Sequence, residues 1–241
     1  MKGKSVILGG ALALCLIGEL CLPCLEAVQA GSPRFPIRIG ETGRSFEDQD
    51  GKPVLIQGDS AWSLIAQLNL NDAEFYLEQR KSQGFNAVLV NLVERKFCNH
   101  PPRNIRGDSP FMAPGDFSSP NEAYFSHADT VLGMAAQRGM LVFLVPAYLG
   151  WGGGGEGWFQ DIRAAGPEQL RSYGRYVGNR YKRYPNIVWV VGGDYTPPQR
   201  YRWCVDALAE GIREGGARQL MTAHCGREPA ANAFGDRRWL D

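Results

Sequence analysis

Stretches of unbroken apolar residues, each closing on a polar side chain, constrain this chain more than any other feature. They are "AVLVNLV" (87–93), "MLVFLVPAY" (140–148), "IVWVV" (187–191) and "QLMTAH" (219–224), preceded by the shorter "VLIQGD" (54–59). A strand with one wet face alternates apolar and polar residues. A run that is apolar at nearly every position predicts a strand covered on both faces, the condition of parallel sheets. Helical patterns separate the runs. Residues 71–84 start at Asn71 as an N-cap and stop at Gly84, with Phe75, Tyr76 and Leu77 as the apolar side. Residues 121–139 again close on glycine, residues 167–185 carry Pro167 in the first turn, and residues 200–216 follow. Strands alternating with helices predict βαβ units with right-handed crossovers.

A doubly wound open sheet and a (β/α)8 TIM barrel both satisfy this order. No G-x-G-x-x-G follows the first run and no G-x-x-x-x-G-K-[ST] occurs, so no nucleotide cofactor is expected and the barrel is preferred. The runs end at Asp59 with Trp62 beyond, at Asn91 and Glu94, at Tyr148 and Trp151, at Asp194, and at His224. In a barrel all these ends open on one mouth, where active sites sit. Upstream, residues 44–59 read as two short strands around a turn at Asp50-Gly51, the second being Val54 to Gln57. A closed barrel takes about 250 residues and eight strands. Here five strands are clear and "RRWLD" (237–241) reads as the start of another, so the expectation over 31–241 is an incomplete barrel of about five to six strands.

A carboxylate at a pocket rim among tryptophans and tyrosines suits a carbohydrate. Aromatic faces cover the C–H faces of sugar rings, and acids and amides bind hydroxyls. Glycoside hydrolysis needs two carboxyl groups flanking the scissile bond. Asp194 is the candidate for one, with capping of its own loop as the plainer alternative. Asp59 and Glu94 are candidates for a second or for substrate binding. Asp59 has the alternative of capping a short helix near Ser60, and Glu94 that of pairing with Arg95 or Lys96 at the surface. Asn91, Trp62, Tyr148, Trp151 and His224 complete the candidate substrate contacts. "GWGGGGEGW" (150–158) reads either as a flap whose Trp151 and Trp158 cover the sugar or as a plain surface loop. His100, His127 and His224, with Cys98 and Cys225 near them, fit no zinc spacing, so no metal is expected. A G-x-S-x-G nucleophile turn is absent.

The net charge of +1 gives no support for a nucleic-acid partner. Residues 1–30 have the layout of a secretory signal peptide: Lys2 and Lys4, then "VILGGALALCLIG", then "AVQA" before a cut. Secretion or a periplasmic location follows, with no stable membrane span once the signal is removed. Cys15, Cys21 and Cys24 leave with the signal, and Cys98, Cys204 and Cys225 remain, an odd set that is not a disulfide framework.

The blocks "GKPVLIQGDSAW", "YLEQRKSQGFNAV", "PNEAYFSHADTVLGMAAQRGM", "YGRYVGNRYKRYPNIVWVVGGD" and "MTAHCG" resemble, in order and from about residue 34 onward, the apiosidase-like glycoside hydrolases. The resemblance implies a (β/α)8 catalytic domain, often followed by a small β domain, and no cofactor. It implies a catalytic carboxylate at the aspartate of the "GGD" block, Asp194, and pocket residues at Asp59, Trp62 and His224. It places the second catalytic carboxylate, a glutamate, on a later strand than those seen here. "HCG" departs mildly from the commoner His-Pro form. The expected function is hydrolysis of an O-glycosidic bond on a polysaccharide side chain. The alternative is a truncated, non-catalytic carbohydrate-binding remnant of such a barrel.

Overall fold

A computed structural model describes residues 32–241. The signal peptide expected over residues 1–30 lies outside them. Three two-residue strands, β1 (Arg38–Ile39), β2 (Phe46–Glu47) and β3 (Pro53–Val54), form a small antiparallel sheet. The hairpin expected around Asp50-Gly51 is β2 and β3, its second strand being Pro53–Val54 and not Val54 to Gln57, and the first strand of the main sheet, β4, is Gly58–Ser60. Short helix α1 (Leu64–Gln67) and helix α2 (Leu70–Ser82) follow. The N-cap of α2 is Asn69, whose side chain accepts from the Asp72 N–H, two residues before the expected cap at Asn71. Leu77 is buried with Ala73 and Tyr76 packs against the core, as expected, whereas Phe75 stays exposed, contrary to the expectation.

The apolar runs then fall where the sequence puts them. Strand β5 is Ala87–Asn91, helix α3 Glu122–Gln137 with Asn121 as its side-chain cap, and strand β6 Leu141–Val145. Helix α4 (Phe159–Ala165) leads into α5 (Pro167–Tyr181), with Pro167 in the first turn. Strand β7 (Ile187–Gly192), helix α6 (Trp203–Glu214), strand β8 (Met221–His224) and helix α7 (Ala230–Phe234) complete the order. Helices α5 and α6 meet almost backbone to backbone; a Cβ at Gly178 would stand 2.3 Å from the Ile212 carbonyl oxygen.

The main sheet has the order β4-β5-β6-β7-β8, all parallel. Strands adjacent in sequence are adjacent in space, with no reversal of order. That is the wall of a (β/α) barrel and not a doubly wound sheet, which switches direction at its middle. Five of a barrel's strands are present among the described residues. The last residues form no strand, contrary to the expectation for "RRWLD", although the Asp241 N–H donates to the Met221 carbonyl at the start of β8.

Side-chain alternation sorts the sheet into two faces. Val88, Val90, Val142, Leu144, Trp189 and Val191 join the core formed with the helices. Their neighbours Ala87, Leu141 and Val188 lie on the other face and pack against Phe46 and Val54 of the small sheet. Leu89, Phe143, Val145 and Val190 form the next layer of that inner face, with Tyr148 and Trp62 above them. The small antiparallel sheet therefore covers the N-terminal end of the inner face, and the polar strand ends crown its C-terminal end.

Candidate active site

Strand β7 is buried along its whole length and delivers Asp194 through three consecutive residues at positive φ: Gly192 (94°), Gly193 (131°) and Asp194 (40°). A Cβ at Gly193 would stand 2.2 Å from the Tyr148 ring, and one at Gly192 would stand 2.5 Å from the His224 carbonyl. The double glycine is thus a steric requirement. It lets the Tyr148 ring lie under the end of β7 and the Asp194 carboxylate stand over it. Aspartate is among the few non-glycine residues that tolerate the left-handed region, and backbone strain of this kind clusters at functional sites.

Both oxygens of Asp194 are engaged. The Tyr148 hydroxyl donates to Oδ2 at 2.7 Å, and His224 Nε2 lies 3.1 Å from Oδ1. Burial, then the bond to Asp194, raises the Tyr148 pKa, so the phenol remains a donor at neutral pH. Trp62 stacks on His224 (centroids 6.1 Å, planes 20° apart) and tilts against Tyr148 (5.5 Å). Asp194 keeps 36% of its side-chain surface, enough to meet a ligand. A hollow of 440 Å³ opens beside it, lined by Trp151, Gly152, Tyr195, Thr196 and Glu228 among others. A larger hollow of 630 Å³ lies against α6 and residues 236–241. Within it Arg213 pairs with Asp241 and Arg237 with Asp236, Glu210 and Glu214 pair with Arg171 and Arg175 on α5, and Trp239 is its one aromatic residue. The hollow beside Asp194 is the candidate site because carboxylate and aromatic rings converge there.

Two candidates are spent elsewhere. Asp59 pairs in register with Val88, whose side chain faces the helices, and Asp59 faces them too. Its Oδ2 accepts from Tyr76 Oη at 2.6 Å and from Arg80 Nε, both on α2. Those bonds, Tyr76's first, hold its carboxyl below the usual range. Glu94 is 1% exposed and pairs with neither the Arg95 nor the Lys96 side chain. Its Oε1 accepts from the backbone N–H groups of Arg95, Lys96 and Phe97, at 2.8, 3.2 and 3.2 Å. Its Oε2 accepts from Asn91 Nδ2 at 3.1 Å, with the Ser63 hydroxyl at 3.0 Å. Asn91 is thereby a support for Glu94, buried at the top of β5.

The glycine-rich loop is pinned. Trp158 N–H donates to the Tyr148 carbonyl at 2.7 Å and its indole donates to Val93 O at 3.3 Å; the ring is buried in the core and does not cover the mouth. Trp151 instead is 64% exposed and borders the hollow. Phe97, not singled out by sequence, stands 6.3 Å from Tyr148 across the rim. His127 is structural, its Nε2 lying 3.1 Å from the Ile65 carbonyl oxygen. Among the described residues no group of three or more His, Cys, Asp or Glu is placed to hold a metal ion, and Cys98, Cys204 and Cys225 are free thiols.

A sequential parallel βα wall with a carboxylate and aromatic rings at its C-terminal rim puts the chain among barrel-type glycoside hydrolases. The chain is similar to a solved glycoside hydrolase at 29% identity and a TM-score of 0.71, over 85% of this chain and 44% of that one. It is equally similar to a glycoside hydrolase family 5 protein from Bacteroides vulgatus ATCC 8482, at 29% identity and a TM-score of 0.71, over 85% of this chain and 42% of that one. A family 5 mannosidase from Rhizomucor miehei shares the fold at 17% identity and a TM-score of 0.64, over 85% of this chain and 60% of that one. The profile described as "Apiosidase-like, catalytic domain" matches residues 40–241, and the chain belongs to that family. It spans less than half the length of the first two solved relatives. No curated protein matches it.

Proposed function

We propose that the protein is an exported glycoside hydrolase, secreted or periplasmic, that cleaves an O-glycosidic bond on a polysaccharide side chain, with apiose as the sugar released. One observation carries this: the Asp194 carboxylate stands at the end of the fully buried strand β7, tethered through both oxygens to Tyr148 and His224, against which Trp62 packs, and it lines the open hollow. Asp194 serves as acid and base. It protonates the leaving glycosidic oxygen and then draws a proton from the incoming water or hydroxyl. Tyr148 and His224 fix its orientation, which keeps the proton aimed along one line. Trp62 and Trp151 supply apolar faces for sugar C–H groups, and His224 with Asp194 meets hydroxyls. The family resemblance assigns the second carboxylate to a later strand, which accords with Asp59 and Glu94 being taken up in structural bonds. Export is supported by the N-terminal signal layout. Among the described residues no helix is long and apolar enough to cross a membrane.

The test is Asp194→Asn in the full-length protein, with apiose release from an apiose-capped oligosaccharide as the measurement. Loss of a proton-transferring, charge-stabilising carboxylate is expected to lower kcat by about 10³-fold or more. Turnover equal to the wild type would remove Asp194 from the mechanism.

A further inference from the structure

The loop after β5 spends a buried carboxylate on holding one residue still. Glu94 takes the Phe97 N–H at 3.2 Å, and the Ser63 hydroxyl, itself 3.0 Å from Glu94, lies 2.6 Å from the Phe97 carbonyl oxygen. The Phe97 backbone is therefore held at both its polar groups by a cluster anchored on Asn91 and Ser63. Burying a carboxylate is costly unless donors surround it, and here the donors are the loop itself. Yet the ring that this clamp presents is 52% exposed. An accessible ring on an immobilised backbone is preorganised, so little conformational freedom would be lost when a ligand stacks on it. The ring neighbours the candidate site: its centroid is 6.3 Å from that of Tyr148, whose hydroxyl donates to Asp194 and whose ring also meets Trp62. Trp62, Tyr148 and Phe97 form one aromatic wall, with the carboxylate beside its middle member.

We infer that Phe97 is a specificity-determining residue, forming a second saccharide position that stacks on the C–H face of the sugar unit adjoining the scissile bond. The inference rests on the proposed function and deepens it. A phenyl ring offers neither donor nor acceptor, so this position reads a sugar face and not its hydroxyls. It favours longer substrates over single sugars while tolerating different neighbouring units.

The experiment is calorimetric titration of the full chain with two probes: methyl apioside, and an uncleavable S-linked trisaccharide capped by apiose. The wild type is expected to bind the trisaccharide roughly tenfold more tightly than the monosaccharide. Phe97→Ala is expected to erase that advantage and leave methyl apioside binding unchanged, and Phe97→Tyr to restore it within about twofold. Because the ring is half-exposed, Phe97→Ala is expected to fold, which circular dichroism checks. Equal trisaccharide binding by wild type and Phe97→Ala overturns the inference and leaves the proposed function standing. Equal weakening of both probes also overturns it, since the loop would then be acting through general shape. Binding of neither probe by the wild type overturns the apiose assignment, and the inference with it.

Discussion

At the scale of single residues, the site depends on groups with no chemistry of their own. Gly193 carries no side chain, yet its φ of 131° and the 2.2 Å that a Cβ would leave to the Tyr148 ring make it indispensable. Gly193→Ala must move either the ring or the end of β7, and both hold Asp194. The expected cost is about 3 kcal/mol of stability, from strain and overpacking together. Activity is expected to fall further than that stability loss explains, because the Tyr148–Asp194 bond breaks. Denaturant unfolding alongside initial rates separates the two, and an Ala variant with wild-type midpoint and rate would show that the rim has room to spare. The sequence put Asp194 at a strand end and glycines before it. It did not show that Tyr148 is the reason for Gly193, because that contact joins residues 45 positions apart across two strands.

At the scale of elements, strand register decides what a polar residue does. Asp59 looks like the other strand-end carboxylates in sequence. Its position opposite Val88 turns it toward α2, because side chains alternate between faces and a shift of one residue exchanges them. It ties β4 to α2 through Tyr76 and Arg80. Its folded pKa is depressed, so its contribution is fully present above its unfolded value near 3.8 and is lost as pH falls through the lower folded value. Asp59→Asn is expected to lose about 1 kcal/mol near neutral pH, since the pair is only partly shielded from water. In acid, as pH falls through that lower folded value, the difference from wild type is expected to narrow, because the Asp59 carboxyl is then uncharged as well. Urea midpoints at the two pH values check this; a gap that stays constant or widens in acid would break the assignment. Helix α2 shows the same lesson: the sequence located the helix, while tertiary packing chose Ala73 and Leu77 as its buried side and left Phe75 outside.

At the scale of the whole molecule, stability is expected to grade across the sheet. Strands β6 and β7 have a partner on each side, whereas β4 and β8 each pair on one side among the described residues. Protection from amide exchange follows burial and double pairing. The amides of Val142, Leu144 and Val190 are expected to exchange slowest, and those of β4 and of the two-residue strands β1 to β3 fastest, by about two orders of magnitude or more. Hydrogen–deuterium exchange read by mass spectrometry resolves the gradient. Equal protection of β4 and β7 would mean that the sheet opens as one unit.

The sequence by itself determined the strands β5 to β8, the helices α3, α5 and α6 between them and the placing of Asp194 at the end of the most buried run. Those features are local: unbroken apolar runs, the cap at Asn121, Pro167 in the first turn of α5, and closing glycines act over a few residues. Tertiary structure alone decided that Glu94 would knit a loop, that Asp59 would face a helix, that Trp158 would enter the core and that Phe97 would stand at the rim. Each of those outcomes turns on which face of a strand meets which distant residue. That information lies in pairing and packing across the chain, and no window along it contains both partners.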